Sequence, residues 1–271
     1  MNTFLQRVYR AVGRVIPACI TQTQAVAFNM FLAFFPMLLI VFGAVASSDA
    51  FRLALQGMIG RLRPVLPPGT IAILSAIVTR NSDHPWKWFL LGLSGTLITG
   101  TQMMKLLMEG FRMVYRDVRS EGFVARYIRA LLLLSATIVP TIFIVTLVVF
   151  GKQVRNRMLH LSTMPVFVRL LWSAAYIVAS LFIAMIVVSI VYRVGRPGPQ
   201  RWSSLIPGST VATVLWWVVS IALGFYLRHV PYGVVYGGLA VTIGLLIWMQ
   251  FTATILLIGA AYNAESQNSL N

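Results

Sequence analysis

Amides and hydroxyls set in otherwise apolar stretches are the first groups in this chain that could do chemistry. Asn29 stands in one apolar run, Thr96, Thr99, Thr101 and Gln102 in another, and Gln250, Thr252 and Thr254 in a third. At membrane depth such groups either hold helices together through hydrogen bonds or meet a polar ligand, and both readings stay open at this point. No Asp, Glu or His lies in the middle of a run, so the sequence offers no relay for a proton-coupled pump.

Charged chemistry is concentrated elsewhere. Lys105, Glu109, Arg112, Arg116 and Arg119 follow one another at spacings of four, three, four and three, beside an apolar stripe of Met104, Met108, Phe111, Tyr115 and Val118. On one long helix this spacing places all five charges on one face, running from the inner membrane edge into the cytoplasm. Lys105 with Glu109, and Glu109 with Arg112, are spaced to pair. A guanidinium holds phosphate through two parallel hydrogen bonds. Arg112, Arg116, Arg119 and Arg193 are therefore expected to gather an anionic headgroup; a merely solvated charged face is the plainer alternative.

Other chemistries find little. His84, His160 and His229 fall in segments assigned to one side of the membrane, with Asp83 beside the first, but no HxxxH or HxH spacing joins them. They read as interfacial histidines, and no metal site is expected. Cys19 is the only cysteine, which excludes an intramolecular disulfide and a cysteine-based zinc or iron–sulfur centre. No nucleophile, glycine-rich phosphate loop or carboxylate pair stands out, and the six acids are too scattered for a hydrolase. The chain is expected not to be an enzyme and to need no cofactor.

The elements that must position these groups are set by hydropathy. With 58% hydrophobic and 10% charged residues over 271 positions, and a mean hydropathy of +0.82, the chain is an integral membrane protein. Apolar runs at 25–46, 88–108, 130–150, 170–192, 205–227 and 234–262 each reach the roughly 20 residues that a helical span needs. The predicted fold is all-α, one domain with a bundle of six transmembrane helices. Residues 1–24 read as an amphipathic segment on the membrane surface, with Phe4, Leu5, Val8, Val12 and Val15 on one face and Arg7, Arg10 and Arg14 on another. Between the first two spans, 51–62 is amphipathic, 64–69 breaks it with three prolines and a glycine, and 70–78 is apolar but too short to cross. An interfacial or re-entrant element is expected there.

The 22 Lys and Arg against 6 acids give a net charge of +16, and only Lys87, Lys105 and Lys152 are lysines. The surplus favours anionic lipid headgroups, which orient the helices, over nucleic acid. Six crossings put both termini on one side, and the dense basic short segments 105–129 and 193–201 place that side in the cytoplasm. The sequence leaves a homo-oligomer open.

Ordered motifs run through the last third: Val191-Tyr192-Arg193 and Pro197, then Trp202, Pro207-Gly208 and Trp216, then Gly224-Phe225-Tyr226. Val235-Tyr236-Gly237-Gly238-Leu239-Ala240, Trp248 and Leu256 to Ala264 follow, while upstream Ala25 to Asn29 leads into Phe34-Phe35-Pro36. This pattern resembles the YihY/BrkB family of bacterial inner-membrane proteins, once labelled ribonuclease BN-like. The resemblance implies six transmembrane helices with cytoplasmic ends, and links to serum resistance, virulence or the handling of lipid A precursors. Asn29 and Ala33 stand where the family often has Tyr and Ser, and Ala261 where a Glu usually follows Gly-Ala. Physical reasons fit several matched residues: Pro36 can kink the first helix, and Gly237, Gly238 and Gly259 allow close backbone approach at either end of the last span. Pro207 and Gly208 form a further hinge or packing point.

Two functions compete. A transporter or flippase of an anionic, phosphate-bearing lipid predicts a lateral or central cavity with arginines at its mouth. A membrane scaffold that docks a soluble partner on a basic helix from Arg112 to Arg129 predicts a tightly packed bundle. A ribonuclease rests only on the family's older label, since no clustered metal ligands are visible.

Overall fold

In the first helix the residues Ala11, Val15, Cys19, Thr23, Val26 and Ala27 recur at every third or fourth position and are all buried. That stripe makes one continuous helix, α1, of Thr3–Ser47. Its 45 residues extend about 68 Å, more than twice the hydrocarbon thickness of a bilayer. The expected surface segment is thus the first turns of α1, and its apolar face is turned into the protein, where Ala11 and Val15 join the core. The computed structural model describes residues 3–47, 85–117, 122–138, 140, 166–196, 200–229 and 238–268. The other helices are α2 (Pro85–Tyr115), α3 (123–138), α4 (Val166–Gly195), α5 (Trp202–His229) and α6 (Gly238–Asn268). Gly238 opens α6; Gly237, Arg119 and the predicted re-entrant element lie outside the described residues.

The chain is an all-α membrane protein. Helical stretches at Ala18–Val41, Val178–Gly195, Trp202–Leu227 and Thr242–Gln267 are each long and apolar enough to cross a bilayer. Helix α2 is long enough, but Gly, Ser, Thr and Gln dilute its apolar run. The reason is its neighbours: α2 packs along α1 and also touches α4 and α6, so small residues suit it better than lipid-facing ones. A Cβ on Gly92 would lie 2.6 Å from the Pro36 carbonyl oxygen, and one on Gly43 would lie 2.7 Å from the Phe89 nitrogen. The backbones of α1 and α2 are therefore in contact, with the ring of Pro36 packed against Gly95.

The end of α2 corrects the single charged helix expected from Lys105 to Arg119. The helix stops at Tyr115, and Arg116 takes a left-handed conformation with φ 54°. The Asp117 amide donates to the Arg112 carbonyl at 3.0 Å and the Arg116 amide to that of Met113 at 3.3 Å. This pair of bonds is a Schellman cap, whose left-handed position is ordinarily glycine. Arg116→Gly should therefore raise stability by about 1 kcal/mol, read as an increase in the midpoint of thermal unfolding. An unchanged or lower midpoint would mean that the arginine side chain stabilises the turn by at least as much.

Candidate functional site

The turn after Arg116 sends the chain back along α2 as α3, and the two helices enclose a cleft. Gln102, Lys105 and Leu106 line it from α2, and Phe123, Arg126 and Tyr127 from α3, around a volume of about 220 Å³. Each trio is spaced i, i+3, i+4, one helix face. The Lys105 ammonium lies 4.0 Å from the centroid of the Tyr127 ring. The Arg126 guanidinium donates to the Glu109 carboxylate at 2.7 Å, and Arg112 reaches the same oxygen at 3.4 Å. Phe123, 76% exposed, stacks at a tilt on Tyr127 with ring centroids 5.1 Å apart. Two cations and an amide thus stand against an apolar and aromatic wall. That arrangement suits an anionic group carrying a hydrocarbon tail.

Sequence reasoning named Lys105, Gln102 and Glu109 of this group and missed Arg126, Phe123 and Tyr127. Lys105 stacks on Tyr127 instead of pairing with Glu109 one turn on. Arg112 braces Glu109 and is not among the residues lining the cleft. Arg116 is exposed at the cap. Arg193 lies over the Trp202 ring at 4.5 Å and donates to the Gln200 carbonyl, which occupies it at the turn between α4 and α5. Arg112 and Arg193 thus each have protein partners, and Arg116 stands at the helix cap. Asn29 donates to the Ala25 carbonyl within its own helix at 2.9 Å. Gln250 donates to the Thr23 hydroxyl at 2.8 Å, joining α6 to α1. Of these two amides, Gln250 links helices and Asn29 bonds within one.

A second polar focus lies where α4, α5 and α6 meet. Pro207 sits inside α5 and lacks the amide hydrogen that the helix would use. The buried Asn263 bonds the backbone on either side of the proline: its Oδ1 accepts from the Gly208 amide at 2.7 Å and its Nδ2 donates to the Leu205 carbonyl at 3.1 Å. The Tyr192 hydroxyl donates to the Leu256 carbonyl at 2.8 Å, and Ser189 and Ser209 bond to each other at 2.8 Å. Near the same end, the Arg196 guanidinium lies over the Tyr115 ring at 4.1 Å, approaches Asp117 at 3.8 Å and donates to Gln267 at 3.4 Å. Burial pushes the Tyr115 hydroxyl up to about 12 against the opposing pull of Arg196, so it keeps its proton at neutral pH. It lies beside Asn263 without completing a hydrogen bond. Among the described residues no three His, Cys, Asp or Glu side chains come together as a metal site.

Residues 19–271 match the sequence family described as virulence factor BrkB. A ribonuclease-like protein of Bacillus subtilis (strain 168), YfkH, is 20% identical over 247 residues, which cover 90% of this chain and 88% of that protein. No solved structure matches the chain.

Proposed function

The chain belongs to the family described as virulence factor BrkB, and from that premise we propose that it spans a bacterial inner membrane six times, with both termini cytoplasmic, and moves an anionic, phosphate-bearing lipid between leaflets. The observation that carries this reading is the α2–α3 cleft. Lys105, Arg126 and Gln102 supply charge and hydrogen-bond donors for a phosphate, while Leu106, Phe123 and Tyr127 supply an apolar wall for the chain attached to it. A small soluble anion would have no use for that wall, which favours a lipid. The Lys/Arg surplus of the whole chain draws the same class of headgroup to the membrane surface.

The scaffold alternative asks for one continuous basic surface from Arg112 to Arg129, and the reversal of the chain after Arg116 divides it. The ribonuclease wording carried by the Bacillus relative, at 20% identity, finds no ligand cluster to rest on among the described residues.

Transbilayer movement of a labelled anionic phospholipid in proteoliposomes tests the proposal. The double variant Lys105→Gln/Arg126→Gln should slow movement about tenfold or more, since each charge-assisted bond to a phosphate contributes about 1.5 to 3 kcal/mol. Arg112→Gln/Arg116→Gln should slow it less. Movement no faster than in empty vesicles with folded wild-type protein would end the transport reading, and equal rates in wild type and the first variant would remove the cleft from it.

A further inference from the structure

Resting on that reading of the α2–α3 cleft, we propose that Glu109 is a built-in competitor for the ligand's phosphate: its carboxylate occupies Arg126 and must give it up for a headgroup to bind. One carboxylate oxygen takes both guanidinium groups, Arg126 at 2.7 Å and Arg112 at 3.4 Å. Arg126 lines the cleft, whereas Arg112 is outside its lining. When Arg126 turns to a phosphate, Glu109 keeps Arg112, so the carboxylate is not left bare. Lys105, the other cation of the cleft, rests on the Tyr127 ring, and among the described residues no carboxylate pairs with it.

The exchange is feasible because the pair it breaks is weak. The Arg126 and Glu109 side chains are 35% and 33% exposed, and ion pairs that wet contribute little. A headgroup phosphate has more acceptor oxygens than the carboxylate, meets Lys105 as well, and fits the planar fork of the guanidinium. A zwitterionic lipid adds a cation of its own beside Lys105 and displaces Glu109 poorly. The same bond ties α2 to α3, so taking Arg126 from Glu109 also loosens one helix from the other, and binding is thereby coupled to helix position.

The test titrates the full-length protein in uncharged detergent with dioctanoyl phosphatidic acid, dioctanoyl phosphatidylcholine and inorganic phosphate, by calorimetry. Phosphatidic acid should bind wild type, and Glu109→Gln should bind it about threefold to fivefold more tightly, the change that relief of one exposed ion pair brings. Glu109→Asp, whose shorter side chain retracts the carboxylate, should move the same way, and Arg126→Gln should lose the binding. Weaker binding by both Glu109 variants at unchanged melting temperature would overturn the proposal and make Glu109 a positioning residue for Arg126. Wild type that binds phosphatidic acid while the Glu109 variants bind it equally well overturns the competitor alone. Wild type that binds phosphatidylcholine as tightly overturns the anionic-ligand reading itself, and binding of inorganic phosphate as tight as that of phosphatidic acid overturns the lipid reading, since the apolar wall would then add nothing.

Discussion

Gly208→Ala should cost about 3 kcal/mol and lower the yield of folded protein, while Gly224→Ala on the same helix should be neutral or stabilise by about 0.5 kcal/mol. At Gly208 a Cβ would overlap the carbonyl oxygen of Gly259 and the side-chain amide of Asn263. The Gly259 oxygen belongs to a helix backbone and cannot rotate away, so relief requires α5 and α6 to move apart. Gly259 faces the reciprocal problem, since a Cβ there would meet the Gly208 oxygen at 2.6 Å, the Ala212 Cβ at 2.7 Å and the Tyr192 hydroxyl. Gly224 meets nothing within 4 Å, so alanine there only adds helix propensity. Unfolding in mixed micelles of an anionic and an uncharged detergent measures both variants. Equal stability of Gly208→Ala and wild type would mean that the two backbones do not touch.

Asn263→Leu should lower stability by about 2 to 3 kcal/mol: leucine keeps the branching of asparagine but is bulkier and carries no polar atom. The variant removes the acceptor on the Gly208 amide and a donor to the Leu205 carbonyl, both buried. A buried group left without its partner costs about 1 to 3 kcal/mol, and hydrogen bonds between helices in membranes are typically nearer the lower figure. The loss is larger than for a single cross-helix bond because one side chain makes two, to backbone groups on either side of Pro207. The same unfolding measurement decides it, and a loss below about 0.5 kcal/mol would reduce Asn263 to a space-filling residue. Combining Asn263→Ala with Gly208→Ala should give less than the sum of the two losses. The smaller side chain relieves one of the two overlaps at position 208, and contacting residues couple.

Much of the fold was legible because hydropathy and helical period are local properties. The apolar runs around Asn29, Gln250 and Pro207 are helices, and those of α1, α4, α5 and α6 are long and apolar enough to cross a bilayer. Small residues of α2 face α1, and the Gly92 and Pro36 backbones meet there. What the sequence reading could not see was the cap at Arg116. A left-handed position is ordinarily announced by glycine, and an arginine announces nothing. The charge ladder was therefore read straight through the turn.

That one turn separates the two kinds of information. Composition and periodicity by themselves determined that this is an all-α membrane protein with its cations, Lys105 apart, outside the apolar runs, because burial in lipid acts on each stretch independently. Tertiary structure alone decided which cations work together. Arg126 and Tyr127 lie 21 and 22 positions beyond Lys105, which on one continuous helix would put them about 32 Å away. They reach its side only because α2 ends at Tyr115 and the chain returns along it. Likewise Gly208 and Asn263 stand 55 positions apart and meet only through the packing of α5 on α6. No local pattern encodes a contact made between two separate helices.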